Sequence, residues 1–227
     1  MRFFRGLSVK ASELDSVVST ISATGLKEGD GGWLMRQLRP GPIEELFCKT
    51  GLSTAHTRGP TALERPAVCA CGELDGATYY AWRHNRTGEN DTPVIVQFDA
   101  EPEMVSVDGR DFLYTVFQMG DPPRARGALE RCFGSSVLRY AERAWQTDDQ
   151  QCRIALCDLA TRDPKVVEEH YASRTVIGGR HRTTFRNAFT VELPIESSRV
   201  VGVWSPSRFP GLPISEVRLD DVLMGRP

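Results

Sequence analysis

The triplet Phe4-Arg5-Gly6 lies inside the run RFFRGLSV near the start of the chain. A guanidinium is a rigid fork of donors that grips phosphate oxygens two at a time, and an adjacent glycine lets the backbone come close to a ligand. A second group with chemical potential is Cys69-Ala70-Cys71 followed by Tyr79 and Tyr80, which sets thiols on a short strand ahead of an aromatic pair. Ser53-Thr54 offers hydroxyls as an alternative to those thiols. A third is SRTVIGGRHRTTFRN, where Arg174, Arg180, His181, Arg182 and Arg186 have no acidic residue between them. Basic side chains around the Gly178-Gly179 pair suit contact with a phosphate backbone. Each group also has a plainer reading: a solvated strand-end charge, aromatic packing of a helix on the core, and an exposed charged hairpin.

Other chemistries lack their signatures. The chain carries no G-x-G-x-x-G, no G-x4-GK[ST] phosphate loop, no H-E-x-x-H and no G-x-S-x-G elbow. His56, His84, His170 and His181 form no pairing with Ser or Cys nucleophiles that spacing alone reveals. Cys69-x-Cys71 is too tight for a zinc site, and Cys152-x4-Cys157 has no histidine pair beside it, so no metal is expected. A net charge of -2 gives the whole chain no electrostatic case for wrapping nucleic acid or lying on an anionic membrane, so any such contact must be local. The opening segment turns polar and acidic by Asp15. No stretch approaches the roughly 18 apolar residues of a membrane span, so a cytoplasmic protein with reduced cysteines is expected.

Several elements must hold these groups in place. RFFRGLSV reads as a strand, and Leu14, Val17, Val18 and Ile21 then repeat at helical spacing until Gly25. Residues 27–66, rich in Gly, Pro, Thr and Arg, read as a long loop with at most one helix. Residues 67–71 form a short strand, a helix begins at about Gly76, and PVIVQFD is a buried strand. Val107-Asp108-Gly109-Arg110-Asp111-Phe112 reads as a structural turn between strand and helix. A helical insert spans about 124–147, broken near Gly134. Arg153 to Asp158 reads as a strand, and Pro164 opens a further helix. RTTFRNAFTVEL, RVVGVW and ISEVRL make the last third strand-rich. This irregular interleaving predicts one α+β domain over residues 1–227, with mixed or antiparallel sheets flanked by helices.

In order along the chain, these segments resemble the ADP-ribosyltransferase superfamily. Arg5 and Gly6, followed by a helix and Thr24-Gly25-Leu26, are similar to the first-strand arginine and Gly-hydrophobic pair that hold NAD. AVCACGELDGATYYA resembles the family's Ser-Thr-Ser strand and A-x-x-Y-A helix, which shape the nicotinamide pocket. Here Cys69 and Cys71 replace hydroxyls, which are better hydrogen-bonding groups. TTFRNAFTVELPIESSRVVGVW resembles the last functional segment, with Phe189, Val191, Pro194 and residues 199–203 in place. The glutamate that opens that strand in the family falls at Ala188.

The resemblance implies a split-sheet α+β fold, NAD as substrate and no metal. It also implies site residues Arg5, Gly6, Cys71 or Ser53, Tyr80 and the position of Ala188, with residues Arg180, His181, Arg182 and Arg186 facing the acceptor. The family's carboxylate stabilises an oxocarbenium-like ribose as nicotinamide leaves, and alanine cannot. Three accounts of Ala188 stand open: an inactive relative, a shifted alignment in which Glu192 or Glu169 serves, or a glutamate-to-alanine variant. Glu192 would share the face of Ala188 but lie about 13 Å further along a regular strand. The arginine-modifying branch carries a second glutamate two residues earlier, where this chain has Arg186, which argues against protein arginine as acceptor. The expected activity is that of a toxin-like or effector-like mono-ADP-ribosyltransferase with a macromolecular acceptor, RNA or DNA before protein, and an antitoxin or immunity partner. An NAD glycohydrolase on the same fold and a catalytically dead NAD- or nucleic-acid-binding module are the alternatives.

Overall fold

The computed structural model describes residues 1–30, 50, 66–84, 88–179, 184–211 and 214–226, with the side chains of 84 and 184–186 outside that description. Strand β1 (Arg2–Val9) pairs antiparallel with β3 (Thr92–Asp99) along eight residues, from Arg2↔Asp99 to Val9↔Thr92. β3 carries the run Val94-Ile95-Val96-Gln97-Phe98, and its four apolar members are fully buried, as a strand covered on both faces requires. β8 (Val200–Trp204) extends this half of the sheet.

A second half is built from β2 (Ala67–Cys71), β7 (Ala188–Glu192) and β4 (Val105–Val107). β2 and β7 pair antiparallel over five residues, and β4 and β7 over three. The two halves join into one six-stranded sheet of order β4-β7-β2-β1-β3-β8. Between β1 and β2 only Phe4↔Cys71 is in register, so the sheet opens on one side of that pair. A smaller sheet pairs β5 (Val176–Gly178) antiparallel with β6 (Thr184–Arg186) and parallel with β9 (Val217–Arg218).

Strand alternation sends Phe3, Val68, Ala70, Val96, Phe98, Phe189 and Val191 to one face, where they enter the main core. Helices from residues 110–173 belong to the same core: α3 (Arg110–Phe117), α4 (Pro122–Phe133), α5 (Leu138–Trp145), α6 (Gln150–Arg162) and α7 (Pro164–Ser173). The starts of three are set by aspartates. Asp121 accepts from Arg124 N, Asp149 from Gln151 N and Cys152 N, and Asp163 from Lys165 N, each satisfying helix-end donors that have no intrahelical partner. Gly134, at φ 77°, separates α4 from α5, as the predicted break requires. The expected helical insert is thus one part of a larger helical layer. On the chain's N-terminal side α1 (Leu14–Thr24) ends at Gly25, where the sequence pattern stops.

Two predicted strands are corrected. Residues 153–158 lie within α6: Cys152, Ala155, Leu156, Leu159 and Ala160 recur at helical spacing and all are buried, and the Asp149 cap fixes the start. In ISEVRL only Val217 and Arg218 are extended. Leu219 begins the short helix α8 (Leu219–Met224), where Leu219 and Val222 are buried one turn apart and Asp220 and Asp221 complement the positive N-terminal end.

In the helical layer the buried carboxylates face arginines, although Arg110 Nε and Arg162 Nη2 themselves make no hydrogen bond to a described residue. Arg110 Nε lies 2.6 Å from Asp158 Oδ1, tying α3 to α6, and within α6 Arg162 Nε donates to the Asp158 carbonyl at 3.0 Å. Asp163 accepts from both Arg139 and Tyr140. His170 is fully buried, with its ring 4.9 Å from Phe133 and 5.2 Å from Phe189. Its Nδ1 lies 2.6 Å from the Cys132 carbonyl, so that nitrogen carries the proton and donates. Burial pulls its pKa down to about 4. The described residues form a single α+β domain whose antiparallel sheet is flanked by helices. No helix among them is long and apolar enough to cross a membrane.

Candidate active site

The opening between the sheet halves is a cavity of about 490 Å³, within the roughly 300–1,000 Å³ range of small-molecule sites. β1 lines it from Phe4 to Ser8, β2 contributes Cys69, Ala70 and Cys71, and Tyr80, Asp108 and Ala188 complete the wall. Arg5, Gly6, Cys71, Tyr80 and the alanine at the expected glutamate position therefore meet in one place.

The Arg5 side chain reaches across to the far half. Its Nη1 donates to the Cys69 carbonyl at 3.2 Å and its Nη2 to the Asp30 carbonyl at 3.3 Å. Its buried Nε has no hydrogen-bond partner among the described residues. Burial lowers its pKa, but an arginine remains charged at any physiological pH. The Asp30 charge acts on it from nearby, but no carboxylate among the described residues forms an ion pair with it, so the guanidinium is open to an anionic group.

Gly6 lines the cavity, but its missing side chain serves the neighbouring helix. A Cβ there would lie 2.1 Å from the Ala77 carbonyl oxygen and 2.8 Å from Ala81 N. That space lets α2 (Leu74–Tyr79) and the π-helical turn Tyr80–His84 lie directly on β1, where Ser8 Oγ donates to the Ala81 carbonyl at 2.6 Å. The helix starts at Leu74, two residues ahead of the predicted Gly76. Its seating brings Tyr80 to the cavity, where burial raises the phenol pKa and Cys71, Asp108 and Cys69 add to the shift. Cys69 is exposed to the cavity, and its thiol pKa is raised by burial and by Asp108 against the opposing pull of Arg5. Cys71 is buried beside Ala77 and Ile95.

Ala188 pairs with Cys71 across β2 and β7. It follows Asn187, a non-glycine residue at φ 45°, whose Nδ2 donates to the Tyr171 carbonyl at 3.1 Å and whose carbonyl accepts from Gly72 N at 2.9 Å. This left-handed residue, a conformation asparagine tolerates, re-aims the chain as it enters β7. The alternative carboxylates lie elsewhere. Glu192 is buried at the far end of β7, paired with Ala67. Glu169 accepts from Ser136 N at 2.8 Å and Ser136 Oγ at 2.7 Å, so it caps the 3-10 turn before α5. Neither lines the cavity.

Other expected contributors are not brought there. Gly25 and Leu26 pack on the connection after β7: a Cβ on Gly25 would lie 1.9 Å from the Ile195 carbonyl oxygen, and Leu26 and Ile195 exchange hydrogen bonds at 2.9 and 2.8 Å. Arg186 belongs to β6 in the small sheet, while Ser53, Arg180, His181 and Arg182 lie outside the described residues. Among the described residues no cluster of His, Cys, Asp and Glu could hold a metal ion.

Asp108, which the sequence reads as part of a structural turn, also lines the cavity. Val105 and Val107 turn into the core, so alternation along β4 turns Ser106 and Asp108 to the face that carries Ala188 and Cys69. Its backbone N–H donates to the Ala188 carbonyl at 2.9 Å, and its carboxylate makes no hydrogen bond to a described residue. Burial raises its pKa, with a smaller contribution from the charge of Asp111. An acid at the end of a valine strand was the available signal, but the pairing of β4 with β7 across more than eighty residues is not visible in local spacing. No protein-family model, curated protein or solved structure matches this chain.

Proposed function

We propose that this chain binds NAD in the opening between β1 and β2 and acts as an ADP-ribosyltransferase. In this reading Arg5 holds the diphosphate, and Tyr80 with the Cys71 and Ala188 strand ends borders the nicotinamide ribose. The observation that carries the reading is convergence: residues 5, 6, 71, 80 and 188, positions set by three separate segments that resemble the family, line one cavity of ligand size. An incompletely neutralised guanidinium in that cavity supports a phosphate-bearing ligand. The acceptor we favour is a nucleic acid, on the strength of the basic segment from Arg174 to Arg186.

Calorimetric titration with NAD tests the reading. A hydrogen bond to a charged group is worth about 1.5–3 kcal/mol, so Arg5→Ala should weaken binding by roughly ten- to a hundredfold. Failure of the unaltered chain to bind NAD, or equal affinity of both proteins, would reject it. Labelled NAD supplied to Ala188→Glu, with RNA, DNA and protein offered in parallel, then identifies the acceptor by where the label goes.

A further inference from the structure

We propose that Asp108 is the catalytic carboxylate of this site, supplying from β4 the negative charge that Ala188 does not carry on the adjacent strand. The inference rests on the reading of the cleft as an NAD site and names the group that would do its chemistry. Asp108 is tied by its own backbone to Ala188, through the 2.9 Å hydrogen bond that continues the β4–β7 ladder one residue past Val107↔Phe189. Its side chain shares the cavity wall with Ala188, Cys69 and Tyr80, on the same side as the residues matched to the nicotinamide pocket. An aspartate is one methylene shorter than a glutamate, and its origin on the neighbouring strand gives it a separate approach to the space that a side chain at position 188 would enter.

The carboxylate is also uncommitted, unlike buried acids elsewhere in the molecule. Asp158 faces Arg110, and Asp163 accepts from Arg139 and Tyr140. Asp108 has no such partner among the described residues, although burial and the nearby Asp111 both disfavour its charge. A desolvated, unpaired carboxylate in a cavity is a costly arrangement for stability alone and a common one for a group that meets charge during a reaction.

The step balances without any oxidant or reductant. The bond between ribose C1′ and the nicotinamide nitrogen breaks, and its electron pair leaves with nicotinamide, which becomes neutral. The Asp108 carboxylate faces the oxocarbenium charge that develops on the ribose. A nucleophile then bonds to C1′ and passes its proton to Asp108, which returns it to solvent. With water as nucleophile the products are nicotinamide, ADP-ribose and one proton.

The test measures nicotinamide release from NAD with RNA, DNA and protein offered as acceptors and with water alone, together with NAD affinity and thermal unfolding, for the unaltered chain, Asp108→Asn, Ala188→Glu and the double variant. The expected result is release by the unaltered chain, a loss of about 100-fold or more in Asp108→Asn with NAD affinity retained, and recovery in the double variant. Asp108→Ser replaces Asp108→Asn if the latter fails to fold. Undiminished release by a folded Asp108 variant overturns the proposal. So does an unaltered chain that binds NAD and releases nothing, an outcome that leaves the NAD site standing. Absence of NAD binding by the unaltered chain instead removes the underlying reading, and this proposal falls with it.

Discussion

The helical layer and the cavity treat charge in opposite ways. In the layer Asp158 is clasped by Arg110 and backed by Arg162, Asp163 is shared by Arg139 and Tyr140, and Glu169 closes a turn. In the cavity Arg5 donates hydrogen bonds only to backbone carbonyls among the described residues, with the Asp30 charge nearby, and Asp108 meets no partner among them. Both regions remove charged groups from bulk water, so the difference lies in compensation. Paired charges fix helices against one another, whereas uncompensated ones leave interaction energy for a ligand to satisfy.

Breaking a compensated pair should give the largest effect. Asp158→Ala leaves Arg110 without the carboxylate it faces in a packed interior, and should lower unfolding stability by about 3–5 kcal/mol in urea titrations. A loss under about 1 kcal/mol would show that the layer does not depend on its ion pairs.

The next effect comes from His170, which the helical layer holds neutral. Its folded pKa of about 4 lies below the ordinary 6.5, so between these values the unfolded chain binds the extra proton. Its contribution is therefore complete above about pH 6.5 and is lost as pH falls toward 4, a change of roughly 3 kcal/mol. His170→Leu should flatten that part of the stability profile. The Cys132 carbonyl keeps a donor in that variant, because Ser173 Oγ also reaches it at 3.1 Å. An unchanged pH slope would place the titration elsewhere.

The smallest effect is expected in the cavity, with the opposite sign. The folded pKa of Asp108 is raised, so its ionisation destabilises the fold as pH rises through that value. Asp108→Asn removes the cost and should leave stability at pH 7 equal or higher by up to about 1 kcal/mol. A loss comparable to that of Asp158→Ala would make Asp108 a structural residue and dissolve the contrast between the regions.

Much of the frame was legible because its signals are local. The apolar run of β3, the spacing of α1 up to Gly25, the glycine break before α5 and Pro164 at the head of α7 each follow from a few consecutive residues. RIALCD is a short apolar run that fits strand and helix alike, and the deciding features are the Asp149 cap and a buried face extending to Ala160. Within the cavity, Arg5, Cys71, Tyr80 and Ala188 were reachable through the resemblance. Asp108 was not, since its position depends on which strand β7 pairs with, and the reason for Gly6 emerged only from the helix lying on it.

A crystal structure with NAD bound tests the central claim most directly. The account predicts the diphosphate against the Arg5 guanidinium and the nicotinamide ribose between Tyr80, Asp108 and Ala188. Dinucleotide density on another surface, with the opening between β1 and β2 filled only by water at saturating NAD, would contradict it.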